Sequence, residues 1–149
     1  MSAALHLARP EDLDRVLDLV AAFHGEMGIT SDDATRRAGV EPLLAGMPYG
    51  AIYLIGPTRA PVGYIVVTFS WSVEFGGMDG YLDALFIRPP VRGRGIATEV
   101  LFALPRTLAE AGITALHLEV SQENEKARSL YARARFQPNP DILVMSRRL

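Results

Sequence analysis

Cysteine is absent from the 149 residues, so disulfides, thiolate nucleophiles and cysteine-ligated metals are excluded outright. An excess of charge of one sign is missing too. Fifteen basic and seventeen acidic residues leave a formal charge of −2 with the histidines neutral. That balance supplies no electrostatic footprint for a nucleic-acid backbone, and any anion bound must be small and locally held. No apolar run approaches membrane-spanning length, and the start from Met1 to Arg9 lacks a basic segment followed by a long apolar core. The expected location is the cytoplasm, with neither a membrane nor a nucleic acid as partner. Repeats, low-complexity tracts and linkers are likewise missing. What is present is 49% hydrophobic, enough to bury one core, so residues 1–149 are expected to form a single domain.

Along the chain, Leu5 to Ala8 reads as a short strand. Pro10, Glu11 and Asp12 then open a helix with proline and acids in its first turn, and Leu13, Val16, Leu17 and Val20 make its apolar stripe. Thr30 to Asp33 offers a second N-cap, followed by a charged, solvent-facing helix to about Leu44 that Gly46 and Pro48 close. Ala51 to Ile55 and Val62 to Trp71 are rich in β-branched and aromatic residues around the turn from Gly56 to Ala60, which is a hairpin pattern. Gly76 to Gly80 predicts a second turn, leading into a strand from Tyr81 to Ile87. A helix is expected from Gly95 to Ala111, kinked or divided near Leu104 by Pro105. A strand from Ile113 to Val120 follows, then a helix from Asn124 to Arg135 with Ala127, Leu130, Tyr131 and Ala134 on one face. A last strand is expected from Asp141 to Arg147.

This order predicts a mixed α/β (α+β) fold, with an antiparallel meander, a parallel strand pair and about four helices packed on the sheet. The Tyr81 and Ile113 strands are joined through a helix, so they should run parallel. At their C-terminal ends lie a glycine-rich turn, Arg92-Gly93-Arg94-Gly95-Ile96-Ala97, and Asn124. A strand feeding such a turn into a helix builds an anion site, because successive N–H groups and the positive helix end converge on one point. Something phosphorylated is expected there. A dinucleotide fingerprint would need a third glycine at Thr98 and parallel units from the first strand, and neither is present.

The run from Leu82 to Ala97, the strand to Val120, and Asn124 followed by Ala127 and Tyr131 resemble the GNAT N-acetyltransferase superfamily over nearly the whole chain. Arg92, Gly95 and Ala97 match its pattern of Arg or Gln, two residues, Gly, one residue, Gly or Ala. The resemblance implies acetyl-CoA as donor and no metal. It places the pyrophosphate on the N–H groups of Arg92, Gly93, Arg94, Gly95, Ile96, Ala97 and Thr98, and the pantetheine arm against the strand end at Phe86 and Ile87. An extended arm bearing amides can add to an opened sheet edge as a peptide strand would.

By resemblance Tyr131 is the general acid that meets the departing thiolate; by spacing alone it equally fits the apolar face of its helix. Asn124 is an N-cap, a contact to the arm, or both. Asp83, an acid on an apolar strand, is either the base for the attacking amine, directly or through a water, or a structural group held by an arginine or backbone donors. Glu119 is a weaker alternative, and His24 and His117 are expected to be structural, although His117 shares a face with Glu119.

Three features depart from the family pattern: Arg135 stands where glycine is usual, the tail from Gln137 is short, and Pro105 lies inside a helix. Glu26, Glu74, Asp79 and Asp83, with Phe23, Trp71 and Phe75, favour a small cationic amine as acceptor. A polyamine, an aminoglycoside-like compound, an amino acid or a protein N-terminus or lysine would all satisfy that chemistry. A non-catalytic acyl-CoA-binding sensor is the competing class, and the resemblance leaves a homodimer open.

Overall fold

The computed structural model describes residues 4–149 and divides into two units, the first ending at Glu119 and the second running from Val120 to Leu149. The first holds a five-stranded sheet in the order β1 to β5: Leu5–Leu7, Gly50–Ile55, Gly63–Ser72, Gly77–Ile87 and Leu116–His117. Neighbours pair antiparallel except β4 and β5, which are parallel. Helix α1 spans Leu13–Met27 after a 3-10 turn at Pro10–Asp12; α2 spans Asp33–Leu44 and α3 spans Ile96–Glu110. The expected mixed architecture and its parallel pair are both present.

Apolar spacing decides which face of the sheet each helix covers. Val16, Leu19 and Val20 of α1 and Val40 and Leu44 of α2 are buried with Ile52, Leu54, Tyr64 and Phe86 in one cluster, and Phe23 packs against it. Strand alternation turns Ile55, Ile65, Val67, Leu82 and Ile87 to the other face, where they are also buried. The parallel β4–β5 connection must cross through α3, and with α1 and α2 on the first face α3 is left to cover the second. Its Val100, Leu101, Leu104 and Leu108 are buried.

Several expectations are corrected. Helix α2 is not wholly solvent-facing, since Val40 and Leu44 join the core. Pro105 does not divide α3, because buried leucines on both sides of it hold the two halves to the same core. The second hairpin turn is Val73 to Gly76, closed by the Gly76 N–H donating to the Ser72 carbonyl at 2.9 Å, so Gly77 to Gly80 belong to β4 and not to a turn. The Ile113 strand is reduced to Leu116–His117, paired with Gly80 and Tyr81. The strand expected from Asp141 to Arg147 does not form: the second unit contains one helix and no strand to pair with it, and Ile142, Leu143, Val144 and Met145 are exposed.

In the second unit, α4 spans Glu125–Arg133. The Asn124 Oδ1 caps it by accepting from the Ala127 N–H at 3.1 Å. Its only half-buried positions between Asn124 and Arg135 are the expected stripe, Ala127, Leu130, Tyr131 and Ala134. The helix ends in a Schellman motif: the Phe136 N–H donates to the Tyr131 carbonyl and the Arg135 N–H to that of Ala132, each at 3.0 Å. The Phe136 and Tyr131 rings meet edge to face, 5.9 Å apart. Arg135 sits at φ 73°, the only positive φ among the described non-glycine residues. The usual family glycine is thus replaced by a residue whose Cβ strains the left-handed turn. Arg135→Gly is expected to stabilise the protein by about 1 kcal/mol, read as a higher urea midpoint at unchanged slope. Arg135→Val should lower it.

Candidate functional site

Strand β4 ends at Ile87, and a 3-10 turn, Pro89–Val91, carries the chain toward α3. Gly93 and Gly95 both lie at φ 79°, a conformation glycine adopts without strain, and a Cβ on either would meet nothing within 4 Å. Their glycine requirement therefore comes from backbone conformation, and the space beyond them is open. Gly95 caps α3 without a side-chain acceptor, and the first intrahelical bond of this turn is from the Glu99 N–H to the Gly95 carbonyl at 3.0 Å. Among the described residues, the N–H groups from Gly93 to Thr98 donate to no protein acceptor. Six unpaired donors at a positive helix end are the local chemistry of a phosphate cradle.

Arg92 holds this turn in place. Its Nε donates to the Ile87 carbonyl at 2.8 Å and its Nη2 to both Glu26 oxygens at 2.9 and 2.7 Å, while its guanidinium lies 5.7 Å from the centre of the Phe86 ring. The Arg92 N–H is already bonded to the Pro89 carbonyl at 3.2 Å. The glycine turn, the end of β4 and the end of α1 are thereby tied together. Phe23, offered by the sequence as a cleft aromatic, instead packs on Tyr64 and Phe86 in the core, with ring centres 6.1 and 5.6 Å away.

The two rungs that join β4 to β5, Gly80 with Leu116 and Tyr81 with His117, are followed by separation of the strands. From Leu82 to Ile87 the β5 side of β4 has no ladder partner among the described residues. At the point of separation lies a β-bulge: Val67 pairs with Leu82 and Val66 with Ala84, so Asp83 is the extra residue. Asp83 is exposed. The neighbouring Tyr64 phenol is pushed up, first by burial and then by the Asp83 charge. Phe86 and Ile87 are buried through their side chains.

Because β4 begins at Gly77, Asp79 is a sheet residue paired with Ser70. It is the one buried charged residue among those described, 7% exposed. It accepts from the Ser70 hydroxyl at 2.7 Å and is 2.9 Å from His117 Nε2. The Ser70 hydrogen bond first, and that of His117 after it, hold the Asp79 carboxyl below the usual carboxylate range against the opposing effect of burial. Phe75 and Tyr81 flank the His117 ring at 5.7 and 5.2 Å. Sequence reasoning missed this pair by assigning Asp79 to a turn; the usable signal was the alternation of Asp79, Tyr81 and Asp83 along one strand.

Of the remaining candidates, Trp71 is 70% exposed, Glu74 and Glu119 are exposed, and His24 Nδ1 is 2.8 Å from the Ser31 hydroxyl. Arg94 is exposed; Ile96, Ala97 and Thr98 in the first turn of α3 are half-buried. In the second unit, burial pushes the Tyr131 phenol up, which keeps it protonated at neutral pH. Among the described residues no cluster of three or more His, Asp or Glu could hold a metal, and no helix is long and apolar enough to cross a membrane.

Over 77 residues the chain is 30% identical to Acetyltransferase SG1711 of Sodalis glossinidius (strain morsitans), covering 50% of this chain and 54% of that protein. Over 70 residues it is 31% identical to the thialysine N-epsilon-acetyltransferase of Bos taurus, covering 47% of this chain and 41% of that one. The matches therefore span about half the length of these curated relatives. Among solved structures, an integron cassette protein from the mobile metagenome of Cole Harbour Salt Marsh superposes with a TM-score of 0.84 at 28% identity, over 96% of this chain and 89% of that one. The acetyltransferase (GNAT) family model matches residues 14–136, and the chain belongs to that family.

Proposed function

We propose that residues 1–149 act as one N-acetyltransferase domain that moves an acetyl group from acetyl-CoA to a primary amine, by direct attack within a ternary complex. The observation that carries this reading is the set of unpaired N–H groups from Gly93 to Thr98 beside the unpaired edge of β4. Those residues fit the donor: the amides would receive the pyrophosphate, and the β4 edge leading to Phe86 and Ile87, whose carbonyl also accepts from Arg92, offers ladder positions to an amide-bearing arm. The family's use of acetyl-CoA supports the same assignment.

The remaining roles are also part of the proposal. Asp83, exposed at the bulge, draws a cationic amine to the point of strand separation and takes its proton directly or through one water. Tyr131, with its raised phenol, protonates the departing thiolate as the resemblance implies, and Asn124 caps the same helix and contacts the arm. The acceptor is a small cationic amine. Carboxylates near exposed aromatic rings support this, as does the relative named for thialysine, itself an amine.

Gly95→Asp is expected to abolish binding by putting charge and bulk where the pyrophosphate approaches. The wild type should show a rise in thermal midpoint with acetyl-CoA that this variant lacks. Equal shifts would remove the cofactor assignment. Tyr131→Phe should lower kcat about 10²-fold while leaving the acetyl-CoA KM little changed, measured as released CoA thiol with a panel of amines. The absence of cysteine makes that signal clean. Binding without turnover would mark a sensor, and a parallel loss of affinity and rate would give Tyr131 a packing role.

A further inference from the structure

On the face of β4 that carries Asp79, Tyr81 and Asp83, His117 is the group whose orientation is built in. Its Nε2 lies 2.9 Å from a buried carboxylate that a serine hydroxyl fixes from the far side at 2.7 Å. A carboxylate only accepts, so Nε2 carries a proton, and in the neutral ring Nδ1 is the nitrogen that keeps its lone pair. The imidazole is 32% exposed through its side chain, against 10% for Asp79. Ser70 donates to Asp79 and not to His117, so the three groups are not a nucleophilic triad; Asp79 orients, and the imidazole faces outward. The Phe75 and Tyr81 rings, both next to it, supply π faces for a cation. His117 sits on the last rung before β4 and β5 part, opposite Tyr81, which is two residues from the bulge at Asp83 on β4. The charged and titratable groups near it are Asp79 and Tyr81 on β4, with Glu74 in the β3–β4 turn next to Phe75 and Glu119 two residues past the end of β5.

We infer that His117 Nδ1 is the proton acceptor for the incoming amine, that Asp79 with Ser70 behind it positions the ring, and that the acceptor is a primary alkylammonium received beside His117 against the Phe75 and Tyr81 rings. This rests on the N-acetyltransferase reading and reassigns one role within it, since among the described residues exposed Asp83 has no comparable orienting partner. The ammonium gives one proton to Nδ1, and the imidazolium that forms is paired with Asp79. The freed lone pair forms the C–N bond as the C–S bond breaks. The sulfur takes its proton from the Tyr131 phenol, which the amine's second proton restores, yielding amide and CoA thiol, and the imidazolium then returns its proton to solvent.

The test compares wild type, His117→Gln, Asp79→Asn and Asp83→Asn, using acetyl-CoA with alkyl polyamines and amino-acid amines. His117→Gln should lower kcat/KM for the amine about 10²-fold or more and remove the acid limb of its pH profile, with the acetyl-CoA-induced thermal shift retained. Imidazole added to His117→Ala should restore part of the rate. Asp79→Asn should cost less and displace the acid limb. Independently of activity, nitrogen NMR of the three histidines should report an Nε2-protonated ring that His117→Gln deletes and Asp79→Asn converts to a tautomer mixture. If His117→Gln keeps the wild-type rate and acid limb, or only Asp83→Asn removes the limb, the inference is overturned while the acetyltransferase reading stands. A wild type that neither binds acetyl-CoA nor releases CoA thiol overturns both.

Discussion

Strand β4 has two partners with incompatible demands, and the candidate chemistry follows from how it meets them. Toward β3 it is paired along its whole length, from Gly77 with Ser72 to Ile87 with Gly63. Toward β5 it is paired for two rungs only. A continuous ladder on one side makes the strand rigid, and a short one on the other leaves an edge of oriented N–H and C=O groups in the interior of the strand order. An open edge invites strand addition, so it normally carries a cost in aggregation; here a ligand with amides would satisfy it. The bulge at Asp83 marks where the parallel pairing stops. It also reverses the side-chain phase, so Leu82 faces the α3 side while Ala84 and Phe86 face α1 and α2.

Beyond the end of β4 the same economy of structure holds the glycine turn. Two left-handed glycines would leave a floppy connection if nothing else constrained it, because glycine gives up more conformational freedom than any other residue on folding. Arg92 supplies the constraint through the Ile87 carbonyl, the Glu26 carboxylate and the Phe86 ring. The turn is thereby anchored by a side chain and leaves its N–H groups free, a preorganised arrangement that lowers the ordering cost of binding an anion.

Electrostatics separate the carboxylates by environment. Asp79 is buried, doubly hydrogen-bonded and held ionised; Asp83 is exposed at a bulge; Glu26 is committed to Arg92. The three were equivalent as letters in a list of acids near aromatic residues. Only placement gives one an orienting role, another an open position and the third a structural one. The aromatic residues divide in the same way, with Phe23 in the core, Phe75 beside His117 and Trp71 largely in water.

Much of this was legible in the order of residues because it depends on local physics. Helix positions followed from apolar spacing and caps, as at Asp32, whose side chain accepts from the Thr35 N–H at 2.7 Å, and at Asn124. The antiparallel meander followed from β-branched runs and turns, and the glycine turn from chain connectivity between two strands that had to be parallel. The errors fell where long-range partners decide. A proline inside α3 is tolerated because buried leucines flank it, four glycine-rich residues pair as strand because β3 lies alongside, and an apolar tail remains unpaired because its own unit offers no strand. The Asp79–His117 pair belongs with these, joining residues 38 positions apart through a parallel register that no local pattern encodes. Sequence by itself determined the helices, the antiparallel meander and the glycine turn, since propensity, capping and backbone conformation act over a few residues. Tertiary structure alone decided which side chains share a face and which polar groups are left without partners, because both depend on register between distant strands.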